Sequence, residues 1–301
     1  MNQTFLFVIL LIGIGYLFKK FHILKEQDGE VISRIVFNIT LPALIIVSLS
    51  SVEIEAKLIM IPFIVIFFGL ITTLVAFFLF KNEKKELKGS MMMLSTGYNV
   101  GLFAFPLVEA IWGAEGLLYF GMFDVGNSFL VFGLSYILGS YYSKEGLSLK
   151  PREILRKFSK SIPLMTYIIM SILNFSNIHL PNFFIDVASI LSQANMPLSL
   201  ILLGIYLNFT LEKGSARPTV KYLLYRYGTG LIGGLLFFLF VPVDDMFKFT
   251  ILIGFLLPIG LSVIPYAHEF NYSTTRLIGN ISNLCIVISM IILYILANFI
   301  L

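Results

Sequence analysis

The sequence predicts an all-α membrane protein of ten transmembrane helices arranged as two inverted five-helix repeats. Three observations carry this reading. The 301 residues are 58% hydrophobic and only 13% charged, with a mean hydropathy of +0.92, whereas soluble domains carry about a quarter charged residues. The basic residues fall almost entirely in alternate connections, and the two halves of the chain match in the positions of their helix-breaking residues.

Ten apolar stretches follow one another, at 4–18, 33–51, 57–80, 90–111, 116–139, 160–175, 184–210, 220–241, 247–268 and 276–299. The first and sixth are short for a crossing that needs about 20 residues. The run Met1 to Phe18 has neither a basic start nor a small-residue cleavage site, so it is read as the first span and not as a signal peptide. The longest connection, 143–159, is too small for a soluble domain. It divides a first repeat (1–142) from a second (160–301). With Cys285 as the only cysteine, an internal disulfide and a cysteine-based zinc site are both excluded. His22, His179 and His268 show no metal-binding spacing, and no cofactor is expected.

Orientation comes from the 21 Lys and Arg residues. Lys19, Lys20, Lys25 and Arg34 flank the first connection, and Lys81, Lys84, Lys85 and Lys88 the third. Lys144, Lys150, Arg152, Arg156, Lys157 and Lys160 fill the fifth, and Lys213, Arg217, Lys221 and Arg226 follow the seventh span. With Arg276 after the ninth span, only Lys57 and Lys248 are left for the other side. Such asymmetry places the odd-numbered connections in the cytoplasm and both termini outside the cell membrane. The basic pI near 9.0 is thus a topology signal accompanied by contact with anionic lipid, and nucleic acid is not an expected partner. Arg226, about one turn inside its predicted span, is expected to snorkel to the cytoplasmic surface.

The stretch Ser95 to Gly113 carries Gly97, Asn99, Gly101 and Pro106 inside an apolar span. Glycine and proline both weaken a helix, and in hydrocarbon a freed backbone group costs several kcal/mol unless protein or a water-filled cavity receives it. Breakers at that depth point to a cavity. Leu41-Pro42 recurs as Met196-Pro197 at an offset of 155, and Gly101 and Pro106 recur as Gly260 and Pro265 at an offset of 159. Five spans per half is an odd number, so the halves insert with opposite orientation. Inverted repeats with interrupted helices in corresponding positions mark a secondary transporter with a site near the midplane.

At these residues the sequence resembles the auxin efflux carrier family of membrane transporters, bacterial branch. The pattern S-T-x-x-N-x6-P-L-x-x-A-x-x-G is carried by Ser95, Thr96, Asn99, Pro106, Leu107, Ala110 and Gly113, and the pattern P-x-G-x6-A-x-E-F/Y-N by Pro258, Gly260, Ala267, Glu269, Phe270 and Asn271. The resemblance implies that helices 4 and 9 are broken and cross at the substrate site, within a fold divided into a scaffold and a transport domain that move in an elevator-like alternation. Plant members have proline where this chain has Tyr98, so the first break is expected to rest on the glycines and Pro106. The long cytoplasmic segment of plant members is also missing, which draws the substrate away from auxin itself.

The expected substrate is a small organic anion, a carboxylate by preference, held by half-helix N-termini. Asn99 is expected to donate to it, or else to cap the broken helix; the two roles are compatible. Gly101, Asn127, Pro258, Gly260, Asn280 and Asn283 complete the expected binding set, and Gly97, Pro106, Pro258 and Pro265 the helix breaks. Asp124 lies well inside its span, seven positions after Leu117, or ~10 Å at 1.5 Å per residue. A carboxylate there is costly to keep charged and by default functional; it is expected to couple transport to protons, the alternative being a permanent brace for the break. The matching residues of the tenth span, Asn280 and Asn283, bind but do not titrate. Asn38 and Asn195 are weaker cavity candidates, and Glu109, Glu115, His268 and Glu269 read as solvated helix ends. Gly228 to Gly233 fits G-x-G-x-x-G but lies in an apolar span with no strand before it, so it reads as a helix-packing face. A sodium-coupled organic-anion symporter is the nearest alternative, and it needs more oxygen ligands around the breaks. An intramembrane enzyme needs a deep His/Glu or Ser/His cluster that the spans lack, so the chain is read as no enzyme. Its partners are the anion and the lipid bilayer, with a homodimer left possible.

Overall fold

The computed structural model describes residues 2–52, 54–144, 151–208 and 216–299. Lys150 and Lys213, which entered the charge count, lie outside them, as does 145–150 of the connecting loop. All regular structure among the described residues is helical. We number the helices α1 (Asn2–Lys20), α2 (Asp28–Ser50), α3 (Ala56–Leu79), α4 (Lys85–Leu94), α5 (Val100–Tyr142), α6 (Pro151–Lys160), α7 (Ile162–Phe175), α8 (Asn182–Tyr206), α9 (Ala216–Phe240), α10 (Asp245–Phe255), α11 (Val263–Glu269) and α12 (Thr275–Phe299). Among the described residues, six runs are long and apolar enough to cross a bilayer: α2, α3, α5, α8, α9 and most of α12. α5 changes direction at Gly113, whose φ of 59° is open to glycine at little cost.

Helix ends follow local chemistry. α1, α7 and α11 each stop at a residue in the left-handed region: His22 (φ 58°), Asn177 (φ 53°) and Asn271 (φ 53°). In each case the next amide reaches back to close the last turn, as Ile23 N to Phe18 O, Ile178 N to Leu173 O and Tyr272 N to Ala267 O, all at 2.9 Å. Asn271, the last residue of the second motif, is therefore a helix stop. Pro163 opens α7, where its missing N–H leaves no bond unmade.

Two packed groups emerge. α1, α2, α7 and α8 lie against one another, and α3, α5, α9 and α10 form the second group. α1 and α8 touch backbone to backbone: a Cβ on Gly15 would strike the Ile201 carbonyl, and one on Gly204 the Ile12 carbonyl. In the second group Gly230 of α9 abuts the Phe255 carbonyl, and Gly233 meets the Phe68 ring. Two of the three glycines of the G-x-G-x-x-G run thus face packed neighbours, while Gly228 meets nothing within 4 Å.

Connections gather on two faces. On one, Lys85 Nζ donates to Ser143 O at 2.8 Å, Lys221 Nζ to Leu79 O at 2.8 Å, and Ser273 is bound by the Glu86 carboxylate. On the other, Asn174 holds Ile54 N, Leu49 O and Val52 O. There too Asp244 caps α10 while pairing with Lys57 and accepting from Tyr119 Oη at 3.0 Å. Partial burial works against ionisation of the Asp244 carboxyl, but the Phe247 amide, Lys57 and Tyr119 outweigh it and hold the group below its usual range.

Candidate functional site: a crossing of two interrupted helices

The first interruption spans Ser95 to Asn99, between α4 and α5, and the second Leu256 to Ser262, between α10 and α11. They touch where the Asn99 backbone N–H donates to Pro258 O at 2.8 Å. Gly97 and Pro258 lie within the interruptions. Pro106 and Pro265 do not: each stands in the opening turns of the helix that follows, a correction to the sequence-based placement of the breaks. Pro265, the third residue of α11, is free of the penalty that proline carries deeper in a helix, because the first N–H groups have no intrahelical acceptor; Pro106 opens the regular α-helical part of α5. Ahead of Pro106 the turn widens to a π-turn over Val100–Ala104.

What holds the first interruption open is a set of long-range hydrogen bonds. Ser95 and Thr96 turn their hydroxyls back onto the Met91 and Met93 carbonyls, at 2.7 and 2.8 Å. Tyr98 has both backbone groups satisfied by one side chain: Asn127 Oδ1 accepts from Tyr98 N at 2.9 Å, and Asn127 Nδ2 donates to Tyr98 O at 3.0 Å. The same Nδ2 donates to Asp124 Oδ1 at 2.9 Å. Asn127 thus replaces the strand-like partner that a freed peptide unit needs in a dry interior. Its amide braces the break, which is where the proline of plant members would have stood.

Arg226 departs furthest from expectation. It does not snorkel to a surface; it is 6% exposed. α9 begins at Ala216, earlier than the predicted span, so Arg226 sits ten residues or ~15 Å along the helix. Its Nη1 donates to Leu94 O at 3.3 Å, and its Nη2 donates to Gly97 O at 3.0 Å, Leu257 O at 2.9 Å and Pro258 O at 3.3 Å. The guanidinium also lies 4.8 Å from the centre of the Tyr98 ring. Tyr222 Oη adds a bond to Leu94 O at 2.7 Å, and Ser289 Oγ one to Leu256 O at 2.8 Å. The sequence signal for this was a lone arginine in the third turn of an apolar helix.

A cavity of about 580 Å³ adjoins the crossing. Asn99, Gly101, Asp124, Asn127, Gly260, Asn280, Asn283 and Pro265 line it; Gly97, Pro106 and Pro258 do not. Neither do Asn38, which is exposed, or Asn195, which is fully buried and accepts from Thr40 Oγ1 at 3.1 Å. Asn99 Oδ1 caps the following turn by accepting from Leu102 N at 3.3 Å, which leaves its Nδ2 without a partner. Asn280 Nδ2 is likewise buried and unpartnered, while Asn283 Nδ2 is spent on Asn208 O at 2.9 Å. Two residues of the cavity wall therefore carry a buried and unsatisfied amide donor. A buried donor without an acceptor costs ~1–3 kcal/mol.

The far wall comes from the other helix group, through Ser33, Phe37, Leu41 and Tyr206. A Cβ on Gly101 would approach the Phe37 ring to 2.8 Å, so glycine is what lets α5 meet α2 there. At its mouth the cavity reaches the exposed residues Glu26, Asn208, His268 and Arg276, on the face that holds most of the basic residues. His268 is thus part of the cavity wall as well as a helix end. Glu269 accepts from Tyr136 Oη at 2.9 Å. Glu109 is half-buried with Oε2 unpartnered, so it is not the solvated end charge the sequence suggested.

Interrupted helices braced at a cavity with asparagine and aspartate side chains on its wall, between two helix groups in a chain of apolar helices long enough to span a membrane, define a membrane transport protein. The family model described as membrane transport protein matches residues 2–300. The chain belongs to this family, that of the auxin efflux carriers. It is similar to an uncharacterized transporter of Methanocaldococcus jannaschii, with 28% identity over 213 residues, 67% of this chain and 68% of that protein. It is also similar to an uncharacterized transporter of Methanothermobacter thermautotrophicus, with 28% identity over 214 residues, 69% and 68% of the two chains. The protein is a multi-pass membrane transporter.

Proposed function

We propose that the protein is a secondary transporter of small organic anions, with carboxylates as the substrate class. The observation that carries this is the pair of buried, unpartnered donors, Asn99 Nδ2 and Asn280 Nδ2, on two residues that line one cavity. A carboxylate accepts from both, and charge-assisted hydrogen bonds of this kind are about twice as strong as neutral ones. Gly101 and Gly260 let backbone approach the bound anion, and Asn127 and Asn283 hold the surrounding frame. Pro258 acts at one remove, by accepting from the Asn99 backbone N–H.

The architecture proposed for this function is ten spans in two inverted repeats, 1–142 and 160–301, joined by a cytoplasmic connection, 143–159, that holds most of α6 where the sequence reading had a loop. Two contacts support it. Thr40 bonds Asn195 and Asn99 bonds Pro258, and each pair is separated by the offset (155 or 159) at which the two halves match in sequence. A residue meets its own counterpart only beside a two-fold axis. Both termini lie outside the cell membrane, and the cavity faces the cytoplasm in this state. The two helix groups that face one another across the cavity act as scaffold and transport domain in an elevator-like cycle, with a homodimer as the assembly such a scaffold accommodates.

The test is thermal unfolding of the purified protein with mono- and dicarboxylates. At least one is expected to raise the midpoint saturably, with no response in Asn280→Leu; a panel that leaves the parent unmoved removes the anion reading. For coupling, Asp124 lines the cavity and shares Asn127 with the break, which makes it the proposed proton carrier. Flux in proteoliposomes is expected to follow an imposed pH gradient in the parent and to ignore it in Asp124→Asn. Equal pH responses would leave Asp124 as a brace.

A further inference from the structure

We infer that Arg226 is the resident cation of the crossing: its guanidinium occupies the carbonyl cage in which a transporter of this architecture could hold a coupling metal ion, and so frees the cycle from sodium. The inference rests on the crossing being the transport site.

At such a crossing the helices that end there, α4 and α10, present the negative ends of their dipoles and carbonyls that no longer have helical partners. Unwound carbonyls and half-helix C-termini are what sodium-coupled carriers use to coordinate their ion. Here the carbonyls of Leu94, Gly97, Leu257 and Pro258 converge from two distant stretches, and every one accepts from the guanidinium. The set contains no carboxylate, so the positive charge is balanced by dipoles alone. A buried charge is costly unless paired or fully hydrogen-bonded. Placed at two helix C-termini, the group has Nη1 and Nη2 hydrogen-bonded to these carbonyls and to Tyr222 Oη, with the Tyr98 ring against it; Nε is left without a partner, and no counter-ion is present in the set.

The chemistry has two consequences. A tethered cation cannot dissociate, so no sodium gradient can be harvested at this position. Its positive charge also remains behind Tyr98, which lines the anion cavity on its other side. Removal of the side chain leaves four oxygens, two of which still accept from Tyr222 Oη and from the Asn99 backbone N–H, around a space that a small monovalent cation or free guanidinium is expected to fill.

The experiment uses the full chain in detergent at constant ionic strength, with unfolding midpoints read in sodium, potassium and choline chloride and after addition of millimolar guanidinium. The parent is expected to show the same midpoint in all three salts. Arg226→Ala is expected to unfold several degrees lower in choline and to recover, saturably, with sodium or guanidinium. A sodium-dependent rise in the parent overturns the inference, as does a variant that responds alike to every cation. If Arg226→Ala does not accumulate, Arg226→Gln and Arg226→Lys replace it: the neutral variant should recover with guanidinium or sodium, and the cationic one should not need either. Absence of that contrast also overturns the inference. None of these readings involves a carboxylate, so they stand apart from the substrate screen.

Discussion

Asn99→Asp is expected to abolish transport while the protein still folds. The substitution keeps the side-chain oxygen that caps the turn at Leu102, and aspartate is as good an N-cap as asparagine. It removes the one donor at this position that is free for substrate and sets a carboxylate against the anion. Loss of a hydrogen bond to a charged group is worth about 1.5–3 kcal/mol, a factor of roughly 10–150 in affinity, before repulsion is added. Asn99→Ala removes cap and donor together and should combine a similar loss of transport with ~1 kcal/mol of instability. Paired measurement of flux and unfolding midpoint separates the roles. Full transport in Asn99→Asp would take this residue out of the binding site.

Asn127→Leu is expected to be the most destabilising substitution at the crossing. It strands the Tyr98 N–H and C=O, both of which Asn127 satisfies, in a buried stretch. At ~1–3 kcal/mol for each orphaned group, the loss is about 2–6 kcal/mol, a large part of a typical total stability. The expected readout is a strongly lowered unfolding midpoint and poor recovery from the membrane. Asn127→Ser, which can satisfy one of the two groups, should fall between. If Asn127→Leu unfolds where the parent does, the interruption is held by something other than this amide.

Much of the fold was legible because hydropathy and charge act locally and add along the chain. The all-helical membrane class and the breakers at Gly97 and Pro258 came from residue type and spacing. Asn99, Gly101, Asn127, Gly260, Asn280, Asn283 and Asp124 do line one cavity. Misplacement of the breaks at Pro106 and Pro265 has a local cause as well: proline marks where a helix cannot be interior, and the opening turn of the next helix satisfies that rule as well as a gap does.

Sequence alone determined that this chain lives in a bilayer, that helices are interrupted there, and which residue types stand at the interruptions. Only the tertiary structure decided how those interruptions survive, since the partners of the freed peptide groups come from far along the chain. Asn127 is 29 residues from Tyr98, and Arg226 is 129 from Gly97. In a dry interior a freed peptide group must be paired; residue type supplies the capacity to pair, and three-dimensional placement chooses the mate.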